Sequence, residues 1–280
     1  MPLANVCGGN WVSQARIGEF PFELDILMAV EPNHYGTRRG VKVVMACFFE
    51  PEGVRISNHH IISNRDCYDL ILTCDDDILA KCPNARFFPF GSCWIAPQDQ
   101  ARLSAAPKRF AVTSLFGGKD YMPGHRLRRE IWNRQREVTV PHSFYVSAVG
   151  RVPVIDPPNN PDIGSNAEAK AVMFGDMFHL AIENCRSTDY FTEKIIDCFR
   201  TKTVPVYWGC PNIGSHFDRA GILDVRYADE TIAMLNSLCP DDYDERRIAI
   251  DQNFEIASLY ARDTGERMGE AIRRELCPLT

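Results

Sequence analysis

The sequence predicts an α/β protein with two parallel β-sheets. Apolar runs of strand length, such as 41–49 and 68–73, alternate with segments of helical periodicity. Strands that are buried on both faces and alternate with helices are typical of parallel sheets joined by right-handed crossovers. The polar, alanine-rich segment 96–108 divides this pattern into two series, so we expect it to be a linker between two sheets.

The first series occupies the N-terminal third of the chain. Strands are predicted at 41–49, 68–73 and 86–90, and a helix should begin near Asp75, whose side chain can cap it. The first forty residues carry no pattern that indicates an element.

The second series begins with a strand at 110–116, before the Gly117-Gly118 turn. Further strands are predicted at 138–140, 177–182, 204–208 and 222–225, and helices at 126–136, 167–174, 190–201, 229–238, 243–260 and 264–276. The segment 150–166 contains four prolines and should be a long loop.

Composition excludes several classes of protein. The 280 residues carry a net charge of −6, which argues against nucleic acid as a partner. No signal-peptide pattern or membrane-length apolar run occurs, so we expect a cytoplasmic protein, unless an anchor has been lost. The 11 cysteines are odd in number and form no Cys-x-x-Cys pair, which predicts free thiols in a reducing compartment.

The strongest candidate site lies between strand 177–182 and helix 190–201. One face of that helix is apolar and can pack on a sheet, whereas the other carries Tyr190, Glu193, Lys194 and Asp197. A helix N-terminus with a lysine beside it is suited to phosphate, because the free N–H groups of residues 190–192 add donors. Glu193 can accept hydrogen bonds from the hydroxyl groups of a ribose or a sugar. The alternative is an ordinary amphipathic helix capped by Asp189, with Lys194 in solvent.

Several other residues are candidates for chemistry. Glu50 follows an apolar strand, where a raised pKa would suit a general base, although Glu52 competes with it and either can be an ordinary loop residue. Asp75-Asp76-Asp77 can hold a divalent metal, but an N-cap with an acidic first turn explains the same residues. An arginine cluster on helix 126–136 indicates either an anionic ligand or a solvated face: Arg126, Arg128, Arg129, Arg134 and Arg136.

Histidines and one glycine turn leave further alternatives open. No histidine has metal-ligand spacing, and His179 lies in an apolar strand, as expected of a hydrogen-bonded core residue. His125 neighbours the arginine cluster and can reach a phosphate. The Trp208-Gly209 turn is either structural or a backbone wall against a nucleotide.

Three runs in the second half resemble the donor-site motif of the α-1,3/4-fucosyltransferases, glycosyltransferase family 10. They are 180–184 (Leu-Ala-Ile-Glu-Asn), 189–195 (Asp-Tyr-Phe-Thr-Glu-Lys-Ile) and 203–209 (Thr-Val-Pro-Val-Tyr-Trp-Gly). Weaker similarity occurs in the first half, at 49–51, 68–73 and 88–91, in the order that this family shows.

This resemblance implies a GT-B architecture, with two Rossmann-like domains whose parallel sheets face a central cleft. Residues 1–100 would form the acceptor-side domain and 105–260 the nucleotide-sugar domain, with a helix at 261–280 packing back on the first. It implies an inverting transferase that uses GDP-fucose, for glycan biosynthesis such as protein glycosylation.

The resemblance also implies roles for individual residues. Glu50 would be the catalytic base, and Arg128 the phosphate ligand, with Arg126 one register away as the alternative. The remaining donor-binding residues would be Glu183, Asn184, Tyr190, Thr192, Glu193 and Lys194. The nucleotide sugar and a glycan acceptor would be the partners, and no metal would be required, although a divalent metal can be stimulatory.

Departures from the family pattern leave the donor open. Ile131 replaces one aromatic residue of the arginine helix, and neither the first forty residues nor 150–166 matches the family. A UDP-sugar such as UDP-xylose is therefore an alternative donor. Two further alternatives are a metal-dependent transferase of the single-domain GT-A type and a catalytically silent module that binds glycan or nucleotide.

Overall fold

The structure, a computed structural model, divides into two compact units. It describes residues 25–29, 41–47, 57–89, 91–147, 152–156, 159–161 and 167–276. The described residues of the first unit fall within Met1–Phe90, Thr188–Tyr190 and Arg262–Thr280, and those of the second within Gly91–Ser187 and Phe191–Ala261.

The first unit contains a parallel sheet whose described strands lie in the order β1-β2-β3-β4. The strands are β1 (Asp25–Ala29), β2 (Val41–Ala46), β3 (Leu70–Thr73) and β4 (Ala85–Phe87), and the helices of this unit are α1 (Asn58–Ser63), α2 (Asp76–Lys81) and α9 (Thr264–Leu276). Met45, Ile71, Ile61 and Ile78 form part of one apolar core, which is why α1 and α2 pack on the sheet.

The second unit contains a parallel sheet with the order β6-β5-β7-β8-β9. Its strands are β5 (Arg109–Phe116), β6 (His142–Val146), β7 (Asp176–Ile182), β8 (Val204–Trp208) and β9 (Leu223–Asp224). Its helices are α3 (Pro97–Ala105), α4 (Pro123–Asn133), α5 (Glu193–Arg200), α6 (Ala228–Ser237), α7 (Pro240–Asp244) and α8 (Arg247–Ala261).

Side chains of β7 and β8 enter two cores, one on each face of this sheet. Leu180 and Val206 belong to the core that includes residues of α4, α6 and α7. Ala181 and Tyr207 belong to the core that includes residues of α3, α5 and α8. Because both faces are covered, these strands are mostly apolar, which is the pattern that predicted them.

Two predictions for the second unit are wrong. Segment 96–108 contains α3, whose buried Gln100 and Leu103 pack within the unit, so it is not a linker. Its exposed polar residues made it resemble one. Segment 138–140 is not a strand, because β6 begins only after Pro141, at His142.

Other predicted boundaries shift or divide. The predicted helix 243–260 is two helices, α7 and α8, and the short strand β1 lies where no element was predicted. The segment 167–174 is helical as expected, but of the 3₁₀ type. The functional assignment of the domains, 1–100, 105–260 and 261–280, stays a prediction.

The described strands form two sheets, so the single-sheet GT-A alternative is wrong. Asp75 caps α2 by accepting hydrogen bonds from the backbone N–H groups of Asp77 (3.0 Å) and Ile78 (3.2 Å), as the capping interpretation of this acidic run requires. In the described ranges, no group of three or more metal-ligating side chains occurs. The described cysteines are free thiols, and none of the described helices is long and apolar enough to cross a bilayer.

Candidate functional site

The side chain of Glu183 lies immediately after β7 and has no solvent exposure. Its Oε1 accepts a hydrogen bond from the backbone N–H of Thr192 (2.8 Å), and its Oε2 accepts one from the Thr192 hydroxyl (2.7 Å). Thr192 is the N-cap of α5. The two hydrogen bonds therefore fasten the start of the helix to the end of the central strand.

Two glycines allow other segments to approach Glu183. A Cβ on Gly124, near the start of α4, would lie 1.8 Å from the carbonyl oxygen of Glu183. A Cβ on Gly209, after β8, would lie 2.5 Å from Cγ of Glu183 and 2.3 Å from the Tyr207 hydroxyl. A Cβ atom cannot lie this close to another heavy atom, so both positions favour glycine. The Gly209 turn is thus a close-packed structural turn around Glu183.

The ammonium group of Lys194 is surrounded by oxygen atoms of its neighbours. Its Nζ lies 3.0 Å from the Thr192 hydroxyl, 3.2 Å from Oε1 of Glu193 and 3.5 Å from Oε2 of Glu183. Lys194 is 21 % exposed, whereas the side chain of Glu193 is 8 % exposed. A buried pair of acids is thus balanced by a lysine that can still reach solvent.

Arg128 is the member of the arginine cluster that reaches the end of β7. Its guanidinium donates to the carbonyl oxygen of Ile182 (2.9 Å) and to Oδ1 of Asn184 (2.8 Å). Arg126 is exposed and donates to the backbone carbonyls of Asp120 and Tyr121. The other arginines of the cluster form surface contacts, such as the ion pair of Arg134 with Asp229 (2.6 Å). Arg128, Glu183, Asn184, Thr192, Glu193 and Lys194 are called the β7–α5 site below.

Burial and charge set the protonation states in the β7–α5 site. Burial raises the pKa of Glu183, against the attraction of Lys194. Burial also opposes ionisation of Glu193, but Lys194 and Lys170 outweigh it and hold its pKa at about 2. Burial lowers the pKa of Lys194, but Glu193 and Glu183 outweigh it, so the pKa is raised. At neutral pH the site therefore holds a charged Glu193–Lys194 pair.

The two histidines near the site are neutral. Burial, with the positive charge of Arg128 second, lowers the pKa of His125 to about 4. Burial lowers the pKa of His179 to about 3, and its Nδ1 lies 2.8 Å from the Thr113 hydroxyl. His179 is therefore a hydrogen-bonded core residue, as predicted.

A cavity of about 70 Å³ lies beneath Lys194 and Glu193. Lys170, His179 and Asp197 contribute polar groups to its wall. This volume suits a few water molecules. The cavity adjoins the β7–α5 site, because Arg128, Glu193 and Lys194 also line it.

Asp197, like Glu193, is a buried acid in the wall of this cavity. It is 1 % exposed, and its Oδ1 accepts a hydrogen bond from the backbone N–H of Trp94 (2.7 Å). Burial raises its pKa to about 6, although Lys170 opposes the shift. The carboxyl thus titrates close to neutral pH.

The helix begins later than the sequence predicted. α5 starts at Glu193 with Thr192 as its cap, and not at 190 with Asp189 as a cap. Asp189 has a φ of 57°, whereas an N-cap adopts an extended conformation. The N–H of Thr192 binds Glu183, so the expectation that it is a free donor is wrong.

The remaining predicted residues are placed as follows. Tyr190 is buried and falls in the first unit, and Glu50 lies outside the described residues. Lys170 was missed by the sequence analysis, because no short-range pattern links it to Glu193, whose Oε1 lies 3.8 Å from its Nζ.

The family model for the C-terminal part of glycosyltransferase family 10, the fucosyltransferases, matches residues 143–238. An α-(1,3)-fucosyltransferase, FucT, of Helicobacter pylori is 40% identical over 48 residues, which cover 17% of this chain and 10% of that protein. Residues 143–238 are therefore similar to the C-terminal part of glycosyltransferase family 10, which confirms the predicted resemblance over this segment. The family match includes every residue of the β7–α5 site except Arg128.

Solved structures share the fold of this chain at low identity. An α1,3-fucosyltransferase with GDP has a TM-score of 0.52 and 16% identity, covering 84% of this chain and 71% of that one. Alr3699/HepE of Anabaena, in complex with UDP-glucose, has a TM-score of 0.57 and 11% identity, covering 85% and 73%. The fold is GT-B, as the resemblance implied.

Replacing Thr192 tests how the chain fixes the start of α5. Thr192→Val removes the hydroxyl that bonds Glu183 and should lower the free energy of unfolding by about 1–3 kcal/mol, because a buried carboxylate oxygen loses its donor. Thr192→Ser keeps the hydroxyl, loses one methyl and should cost about 1 kcal/mol or less. Urea unfolding followed by tryptophan fluorescence measures both. Equal stability of the two variants would contradict the role of this hydroxyl.

Asp197 should make stability depend on pH. Its folded-state pKa of about 6 lies above the ordinary value of 3.8, so the folded chain binds its proton more tightly. This contribution is complete below pH 4 and is lost as the pH rises through 6. Between pH 4 and 7 the wild type should therefore lose about 2–3 kcal/mol relative to Asp197→Asn in parallel urea unfolding series. Parallel pH profiles for the two proteins would show that Asp197 titrates normally.

Proposed function

We propose that this chain is a glycosyltransferase that moves a monosaccharide from a nucleotide sugar to a hydroxyl of a glycan acceptor. The observation that carries the proposal is the convergence of Arg128, Asn184 and Lys194 at the carboxyl end of β7. Ligands of open α/β sheets bind at this end of the strands. Two cations beside a helix N-terminus suit the diphosphate of a nucleotide sugar.

In this proposal Arg128 and Lys194 stabilise the negative charge that grows on the leaving diphosphate. Arg128 is positioned before the ligand arrives by Ile182 and Asn184. Lys194 is held at the same end of β7 by the Thr192 hydroxyl and two acids, and it turns from the acids to the phosphate when the donor binds. Removing one preorganised donor of this kind raises the reaction barrier by about 2.7–4 kcal/mol. Arg126 bonds the loop at 120–121 instead, so we assign the phosphate to Arg128.

The other residues of the β7–α5 site divide between contact and support. Glu193 accepts hydrogen bonds from the hydroxyls of the ribose or the sugar, and Asn184 belongs to the donor site. Tyr190 stays a predicted donor-binding residue. Glu183 and Thr192 are fully buried or nearly so, and they bond each other. We therefore assign them to support of the site, in place of the direct donor contact that the resemblance implied.

We propose that the reaction inverts the anomeric centre in a single displacement. Glu50 takes the proton of the acceptor hydroxyl, and the oxygen attacks C1 from the face opposite the diphosphate. The bond from C1 to the diphosphate oxygen breaks as the new glycosidic bond forms. The charge on the leaving group is met by Arg128 and Lys194, so we propose that no metal is required.

GDP-fucose is the donor that the family favours, and a UDP-sugar is the second candidate. The observation that keeps the second candidate open is the low identity to solved relatives of the same fold, one with GDP and the other with UDP-glucose. In this proposal the β7–α5 site binds the diphosphate that both donors share. Residues outside the site determine the specificity for the nucleobase and the sugar.

A thermal-shift panel identifies the donor. GDP-fucose should raise the melting temperature more than UDP-xylose, UDP-galactose, UDP-glucose or GDP-mannose, because a ligand that binds the native state stabilises it by RT ln(1 + [L]/Kd). A larger shift with a UDP-sugar would establish the second candidate. The absence of any shift at millimolar concentrations would contradict a donor site in this chain.

Glu50→Gln separates catalysis from donor binding. The variant should lower the rate of transfer by about 100- to 10,000-fold, the usual contribution of a general base, and leave donor affinity unchanged. Transfer to a glycan acceptor and calorimetry with the donor measure the two effects. Glu52→Gln is the matched control and should retain transfer. If Glu50→Gln keeps wild-type turnover, Glu50 is not the base.

A further inference from the structure

Lys170 lies in the 3₁₀ helix Ala167–Phe174, directly before β7. Its Nζ is 3.8 Å from Oε1 of Glu193 and 4.1 Å from the centroid of the Trp94 ring. The side chain is only 13 % exposed. A lysine this buried requires a compensating charge, and the indole ring and the carboxylate of Glu193 supply it.

Glu193 is shared between two lysines. Oε1 of its carboxylate lies 3.2 Å from Nζ of Lys194 and 3.8 Å from Nζ of Lys170. Lys194 is the more exposed of the two, and it is the one that we assign to the diphosphate. When the ammonium group of Lys194 turns to a phosphate, it stabilises the negative charge of Glu193 less, although Glu193 stays buried.

A buried carboxylate without a cation would take up a proton or rotate away. A protonated Glu193 would accept fewer hydrogen bonds from hydroxyl groups, because an ionised carboxylate is the stronger acceptor. Donor binding through Lys194 would then weaken the hydroxyl contact made by Glu193, unless a second cation remained in place.

We propose that Lys170 is this second cation, a positioning residue that keeps Glu193 ionised and oriented toward the ribose hydroxyls while Lys194 holds the diphosphate. The inference rests on the proposed function. The two lysines that neighbour Glu193 have different roles. Lys194 binds phosphate, whereas Lys170 contacts no ligand and affects the hydroxyl contact only through Glu193.

Other charged and titratable groups face this pair from neighbouring elements. Asp197 of α5 attracts Lys170, and Arg128 of α4 and neutral His179 of β7 share the cavity wall. Cys93 lies beside Asp197. The pKa of Asp197 is about 6, so its negative charge also helps to retain Lys170 at neutral pH.

Calorimetry with two probes separates the roles of the lysines. GDP and UDP carry a ribose and a diphosphate, whereas inorganic pyrophosphate carries no hydroxyl of a sugar. Lys170→Met should weaken nucleoside diphosphate binding by about 10- to 100-fold and change pyrophosphate binding by less than twofold. Lys194→Met should weaken both. Lys202→Met, which removes a surface pair with Asp251, is the matched control and should change neither.

A double-mutant cycle identifies Glu193 as the intermediary. In a Glu193→Gln background, Lys170→Met should have no further effect on nucleoside diphosphate affinity. Lys170→Met should also weaken binding more at pH 5 than at pH 7.5, because Glu193 has lost a cation that opposes its protonation. Lys170→Arg keeps the charge and should restore most of the affinity.

Three results would overturn the inference. They are an equal loss of pyrophosphate affinity in Lys170→Met, an effect of Lys170→Met that persists in Glu193→Gln, and a pH profile that matches the wild type. If Lys194→Met leaves both probes unaffected, the proposed diphosphate site itself is wrong, and the inference falls with it. A failure of the proposed diphosphate site appears as unchanged affinities in Lys194→Met. A failure of the Lys170 inference alone leaves the loss of affinity in Lys194→Met intact.

Discussion

The carboxylate of Glu183 is sealed from solvent, and the two hydrogen bonds that it accepts from Thr192 hold the rest of the site in place. A buried acid has to be bonded or neutralised, so the position of Glu183 dictates where α5 begins. The same residue favours glycine at 124 and at 209, because α4 and the turn after β8 approach it closely. Strand, two helices and turn therefore meet around one residue.

Much of the second unit could be predicted because its central strands are buried on both faces. β7 and β8 are continuous apolar runs, and β8 has the predicted bounds, 204–208. α3 could not be recognised, since helices that pack by a few residues look polar in sequence. β6 was missed for a related reason: it starts with His142 and Ser143 after a proline, and its neighbours in the sheet decide its conformation.

Five residues of the β7–α5 site follow β7 in one short segment, where the sequence pattern and the resemblance indicated them. Arg128 was assigned through the resemblance, and Lys170, a partner of Glu193, was not found. Thr192 and Asp189 are both suitable caps, and only the bond of Thr192 to a buried acid decides between them. Lys170 precedes Glu193 by a whole strand and a turn, so its ion pair exists only in the folded chain. Under the proposed function the β7–α5 site is an exchange site, in which Lys194 leaves carboxylates in order to bind phosphate.

The central claim is that the carboxyl end of β7 and the start of α5 bind the diphosphate of a nucleotide sugar. A crystal structure of the protein with GDP tests it most directly. Phosphate oxygens should lie within about 2.7–3.2 Å of Nζ of Lys194 and of the Arg128 guanidinium, with Glu193 retained by Lys170. A nucleotide bound elsewhere, or Lys194 still held by Glu183 and Glu193 beside a bound nucleotide, would contradict the account.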